Sequence, residues 1–281
     1  MPGARSREEA RCTLRILRYL CRGRRPWSVG YDEFKERRLR RLLRDRVVLG
    51  WFRAVDALPR GYSRRLDERV IEYPWLVARL GEGRSLLLDA GGALNHGFLL
   101  KSSALRRRTM VVCTLSNERP TAGTHASCVR ADLRRAALKD EVFDEVVCIS
   151  TLDHVGLDQT RVYLSDERWR ESHPEDYTGA VRELRRVLKP GGRLFVTVPY
   201  LRYENLGWMQ QFDAERLARI IDVFAPTSCT AAFYRYRPSG WQLSDAAECS
   251  TCAYFDIHTT RQYGEDYAAA ARAVACLELV T

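Results

Sequence analysis

The apolar run Leu86-Leu87-Leu88 ends in an acid and a glycine turn, Asp89-Ala90-Gly91-Gly92-Ala93. A buried strand that stops at an acid and turns on glycine lets a ligand lie close to backbone, because a side chain at Gly91 would occupy its space. The spacing is not that of a nicotinamide site. Counted from Gly91, the pattern G-x-G-x-x-G meets Ala93 and His96 where the second and third glycines belong. The acid placed directly before the turn suits instead a cationic amino-acid ligand, whose ammonium and ribose Asp89 could hold. Standing alone, the segment is as readily a strand-to-helix turn with no ligand.

Three further segments carry chemistry. In Val129-Arg130-Ala131-Asp132-Leu133 the acid could accept an amino group of a heterocycle, or could simply cap the short helix that follows it. The run Glu145-Val146-Val147-Cys148-Ile149 is a strand that opens into Ser150-Thr151-Leu152-Asp153-His154-Val155-Gly156. Polar groups thus gather at the carboxyl end of a strand, the edge at which open α/β sheets bind ligands. His154 is the natural candidate for a general base, since imidazole is partly neutral near pH 7, and Asp153 is next in line. The alternative for His154 is a brace for its loop. Finally, Glu183 to Leu188 reads as a helix stopped by Lys189-Pro190-Gly191-Gly192 before the apolar strand Arg193-Leu194-Phe195-Val196, a turn whose role is structural.

In this order and at this spacing the four segments, over roughly residues 84–200, resemble the class I S-adenosylmethionine-dependent methyltransferase family. The resemblance implies S-adenosylmethionine as cofactor, with Asp89, Ala90 and Gly91 at its methionine end and ribose, Asp132 and Leu133 beside the adenine, and the strand ending at Ser150 facing the transferred methyl. It also implies a Rossmann-like, seven-stranded, mostly parallel sheet with helices on both faces and its last strand pair antiparallel. Two positions depart from the family pattern. Ala93 stands where a second glycine is usual, and Thr114 stands where an acid for the ribose hydroxyls is usual. Glu118, in the following loop, could supply that carboxylate. The segments Tyr73-Pro74-Trp75, Thr114-Leu115-Ser116, Gly207-Trp208 and Ala275 to Leu279 are similar to bacterial members of polysaccharide or natural-product pathways. The expected acceptor is therefore a small molecule or saccharide, methylated at a hydroxyl.

The elements that must position these residues follow from periodicity. Strands are expected at Ser85–Asp89, Met110–Thr114, Glu145–Ile149, Arg193–Pro199, Ser228–Tyr236 and Ala275–Val280, and helices at Asn95–Leu105, Asp176–Leu188 and Asp213–Val223. Residues 1–80 read as a helical cap before a domain spanning 81–281. Met1–Arg7 should be disordered, with helices over Glu8–Cys21, Tyr31 to about Val47, and Arg65–Leu80, the last kinked or restarted at Pro74.

The net charge of +10 invites a nucleic-acid reading, yet residues 1–50 alone hold fifteen Lys or Arg against six Asp or Glu. Lysine occurs only at positions 35, 101, 139 and 189, so the basic content is nearly all arginine and interleaves with apolar residues as amphipathic helices do. Nucleic acid is not the expected partner. An RNA or DNA methyltransferase remains the runner-up, although Ser150-Thr151-Leu152-Asp153 lacks the Asn/Asp-Pro-Pro-aromatic element of amino-methylating nucleic-acid enzymes. A non-catalytic binding protein on the same fold is the third reading. No run is apolar enough for a membrane span or a secretory signal, so the chain is expected in the cytoplasm, with its nine cysteines reduced. Cys249 and Cys252, with His258, form one metal-like pair without the second that a structural zinc site needs, so no metal is expected.

Overall fold

The computed structural model describes residues 2–81, 83–161 and 164–281. Four helices come first: α1 (Pro2–Cys21), α2 (Tyr31–Leu42), α3 (Arg46–Ala54) and α4 (Arg69–Leu80). The alternating part follows as β1 (Leu86–Ala90), α5 (Gly97–Leu100), β2 (Thr109–Thr114), β3 (Ala126–Arg130), β4 (Phe143–Ile149), α6 (Tyr177–Val187), β5 (Leu188–Pro199) and α7 (Ala214–Phe224). It closes with β6 (Ser228–Arg237), β7 (Gly240–Ser244), α8 (Ala246–Ser250), α9 (Ile257–Thr260) and β8 (Ala273–Val280).

The strands form one sheet in the order β3-β2-β1-β4-β5-β8-β6-β7. Strands β3, β2, β1, β4 and β5 are parallel, and β8 lies antiparallel between β5 and β6. Among the described residues the sheet has eight strands rather than the expected seven. The added one, β7, is the return arm of an antiparallel hairpin with β6, pairing Phe233 with Ser244 through Arg237 with Gly240. Strand order reverses between β1 and β4, so the carboxyl ends of these two strands border the crevice left at the switch point.

Each face of the sheet buries its own core. On one side Val181, Leu184 and Val187 of α6 and Leu217, Ile220 and Phe224 of α7 pack on Leu88, Val146, Leu194 and Leu277. The other side is covered by the amino-terminal helices, whose Tyr19, Leu39, Phe52, Ile71 and Trp75 share a cluster with Leu87, Val147, Phe195 and Tyr234. Aligning an apolar helix stripe with a strand face in this way removes most of both from water, the main favourable term in folding.

Several expectations are corrected. Helix α1 starts at Pro2 where disorder was expected, and the second basic helix is two, because Asp45 caps a new one by accepting from the amides of Val47 (2.9 Å) and Val48 (3.3 Å). The helix expected over Asn95–Leu105 shrinks to Gly97–Leu100, since the Ser102 hydroxyl takes the Leu105 amide and turns follow. Pro74 sits inside α4 and cannot donate to the carbonyl of Val70. The Tyr62 hydroxyl donates to that carbonyl instead, at 2.9 Å, which satisfies the orphaned acceptor and ties the chain before α4 to its first turn. Among the described residues no helix is long and apolar enough to cross a membrane, and no group of three or more His, Cys, Asp or Glu is placed to hold a metal ion. The His258 side chain lies outside what is described.

Candidate active site

A cleft of about 240 Å³ opens at the carboxyl ends of β1, β2 and β4. Of the residues singled out in the sequence, Gly91, Thr114, Glu118, Asp132, Leu133, Ser150 and His154 line it. Asp89, Ala90 and Asp153 do not. They lie behind the wall, each with at most 1% of its surface exposed.

Asp89 therefore acts differently from the expectation. Its Oδ2 accepts the Leu94 amide at 2.9 Å, so the carboxyl folds the glycine turn onto the end of β1 rather than facing a ligand directly. Its Oδ1 has no hydrogen-bond partner, and burial raises its pKa to about 7 against the pull of the Leu94 amide. Ala93 is accommodated because the turn is held from outside: the Tyr73 hydroxyl donates to the Ala93 carbonyl at 2.9 Å. The constraint on Gly91 also differs. Its φ is +113° and a Cβ there would collide with the Thr151 side chain, so glycine is needed for the contact between the β1 and β4 turns.

On the β2 side a chain of oxygens is assembled. Thr114 Oγ1 lies 3.1 Å from Ser116 Oγ, which donates to Glu118 Oε1 at 2.9 Å, while Asn95 Nδ2 donates to Glu118 Oε2 at 3.1 Å. Asn95 follows the β1 turn and Glu118 follows β2, so this carboxylate stands over the glycine turn, 3.1 Å from where a Cβ of Gly92 would be. Next to it Leu133 offers an apolar surface. Asp132 lines the cleft and also caps the short turn Leu133–Arg135 by accepting the Arg134 amide at 2.9 Å. Partial burial would raise its pKa, but the hydrogen bonds and charge of Arg134 outweigh this and keep the carboxyl low.

Arg134 does more than pair with Asp132. It also reaches Glu171 (2.8 Å) and Asp176 (2.6 Å), which ties the segment over the cleft to β3 and α6. The same segment is pinned at Gly156 (φ +78°), where a side chain would collide with the carbonyl of His173. Gln159, Leu164 and Glu171 from this segment complete the wall.

His154 sits at the mouth of β4 with its ring tilted on Trp208, centroids 5.5 Å apart. Its Nδ1 lies 3.1 Å from the Trp208 carbonyl, which can only accept, so this nitrogen carries the hydrogen. Nε2 is 3.4 Å from Asp153 Oδ2. Burial raises the Asp153 pKa, partly offset by the His154 charge.

Helix α4 adds two residues that the sequence motifs did not single out. Arg69 lines the cleft and pairs with Glu72, which is fully buried and accepts from Ser150 Oγ and Thr197 Oγ1, each at 2.6 Å. Charged residues on a helix otherwise carrying Val70, Ile71, Trp75, Leu76 and Val77 were the available signal. Glu68 beside them is pushed up to about 8, chiefly by burial and then by the charges of Asp67 and Glu72.

Residues 105–196 match the family model of a methyltransferase domain. No curated protein matches the chain. Among solved structures, similarity extends to the 1,6-didemethyltoxoflavin-N1-methyltransferase of Burkholderia thailandensis, with 13% identity, a TM-score of 0.46, and 75% of this chain and 76% of that one covered. The [4+2]-cyclase SpnF is similar at 16% identity and a TM-score of 0.46, with 84% and 92% covered. The N-methyltransferase NodS of Bradyrhizobium japonicum is similar at 14% identity and a TM-score of 0.42, with 88% and 97% covered.

Proposed function

We propose that this chain, an S-adenosylmethionine-dependent methyltransferase of the class I fold, methylates a hydroxyl of a small molecule, a saccharide being one such acceptor. The observation that carries the reading is the convergence on one cleft of the Gly91-Gly92 turn, the Thr114–Ser116–Glu118 oxygen chain, the Asp132-Leu133 pair and His154. These residues fit the cofactor. Glu118 would accept from the ribose hydroxyls, Leu133 and Asp132 would flank the adenine, and Arg69 offers a guanidinium for a carboxylate. When bound, S-adenosylmethionine supplies an electrophilic methyl group on a sulfonium.

The chain's own part is alignment, exclusion of water and removal of a proton. The segment held by Arg134 and Gly156 walls the cleft on the acceptor side, so that a nucleophile is oriented in a water-poor space. An alcohol is a poor nucleophile until its proton begins to leave. His154 Nε2 would take that proton, with Nδ1 fixed on the Trp208 carbonyl and the Asp153 carboxyl beside the ring to hold the resulting imidazolium.

The test is His154→Ala. Turnover on an alcohol acceptor should fall by about 10²–10⁴ while S-adenosylhomocysteine affinity, read by titration calorimetry, changes little. Equal losses in affinity and turnover, or full turnover across the pH range, would make His154 a brace and sink the base assignment.

A further inference from the structure

A second cavity, about 380 Å³, lies on the amino-terminal helices between α2 and the turn that precedes α4. Five arginines surround it: Arg24, Arg37, Arg38, Arg41 and Arg64. None of its lining residues is acidic, and none is shared with the methyl-transfer cleft. Among the described residues these five side chains make no ion pair and no hydrogen bond, whereas neighbouring Arg15 and Arg40 are paired with Glu33 and Glu36. Arg24 and Arg38 lie over the rings of Phe34 and Tyr62, at 5.6 and 6.0 Å from the centroids. A cation–π contact of this kind attracts the guanidinium to the ring without using its N–H groups.

Ser63 is the second observation. It lines the same cavity, is 5% exposed, and its hydroxyl, beside the Tyr62 side chain, makes no hydrogen bond of good geometry among the described residues. A buried hydroxyl left without a good hydrogen bond costs stability, so its presence in an arginine-lined cavity points to an acceptor that completes it. Five like charges around one concavity repel each other, and a multivalent anion removes that repulsion while accepting from several forks at once.

We propose that this cavity is a ligand site of its own for the phosphate groups of a phosphorylated small molecule. The lining favours this over a nucleic-acid backbone, because the arginines share one cavity with the buried Ser63 and Leu66 and with Phe34. A ring such as Phe34 can also meet an apolar or heterocyclic part of the same ligand.

The experiment titrates the full chain with inorganic pyrophosphate, with ADP and, separately, with a single-stranded RNA oligonucleotide. Circular dichroism serves as the check of folding. Pyrophosphate and ADP should bind saturably at one site per chain. The triple variant Arg37→Gln, Arg41→Gln and Arg64→Gln, all exposed positions, should weaken them by about 100-fold or more, and Ser63→Ala by a smaller factor. S-adenosylhomocysteine affinity should be unchanged in these variants. The proposal is overturned if the folded chain shows no saturable pyrophosphate or ADP binding, or if the triple variant binds them as well as the parent. It is equally overturned if RNA alone binds, with an affinity that falls steeply with salt.

Discussion

Asp89→Asn separates a cost built into the turn after β1 from everything else that titrates. The Asp89 carboxyl is fully buried, keeps one oxygen on the Leu94 amide and leaves the other without a partner. Burial lifts its pKa from the ordinary 3.8 to about 7, against the Leu94 amide and with a smaller upward push from the Glu118 charge. Between those two values the unfolded chain gives up this proton while the folded chain retains it. The contribution of the group to stability is therefore greatest at acid pH and is lost as pH rises through about 7, at about 1.4 kcal/mol per pH unit before levelling off. Integrated from about pH 5 to about pH 8.5, the loss is about 3 kcal/mol. In the asparagine variant the side-chain oxygen can keep the Leu94 bond and nothing titrates at the site. Glu68 and Asp153, whose pKa values are also raised, slope the same way but are common to both proteins and cancel in the comparison. The assay is urea unfolding of both proteins, without cofactor, at the two pH values. The variant should gain about 3 kcal/mol on the parent between them. Parallel pH curves would show that Asp89 ionises in the fold as it does in water, and the argument for a buried carboxyl stressed at neutral pH would fail.

Two further outcomes follow from the hydrogen bonds. Glu118→Gln removes an exposed charge held by Ser116 and Asn95, so S-adenosylhomocysteine should bind about tenfold or more weakly while stability shifts by less than about 0.5 kcal/mol. Unchanged affinity by calorimetry would take Glu118 out of the cofactor site. Tyr62→Phe should cost about 1–3 kcal/mol in unfolding free energy, because it strands the buried carbonyl of Val70, and adding Pro74→Ala should recover much of the loss by restoring an amide for that carbonyl. Failure of the second change to rescue the first would mean that Tyr62 stabilises by packing alone.

What could be read in advance was what local pattern determines. The runs at Leu86–Asp89, Glu145–Ile149 and Arg193–Pro199 are apolar on both faces because helices cover both, and that burial marks them as central strands. Edge strands lack the signal. In β3, Ala126–Arg130, only the small residues Ala126 and Cys128 turn to a core and both are half-buried, while β7 is only five residues long and is defined by its pairing with β6. The site divides along a similar line. Glycine turns and strand-end acids are visible in sequence, but whether a carboxylate faces a ligand or its own backbone is not, since Asp89 and Asp132 are the same residue type at strand ends and differ only in which donors fold against them. Glu72 lies further beyond reach, because its partners Ser150 and Thr197 are 78 and 125 residues away along the chain. A buried carboxylate bridging β4 and β5 to α4 has a physical consequence. Its removal would leave two hydroxyls at the strand ends unmatched and would free Arg69, so the amino-terminal helices do more than cover the sheet: through Glu72 they set the position of Ser150 on the wall of the cleft.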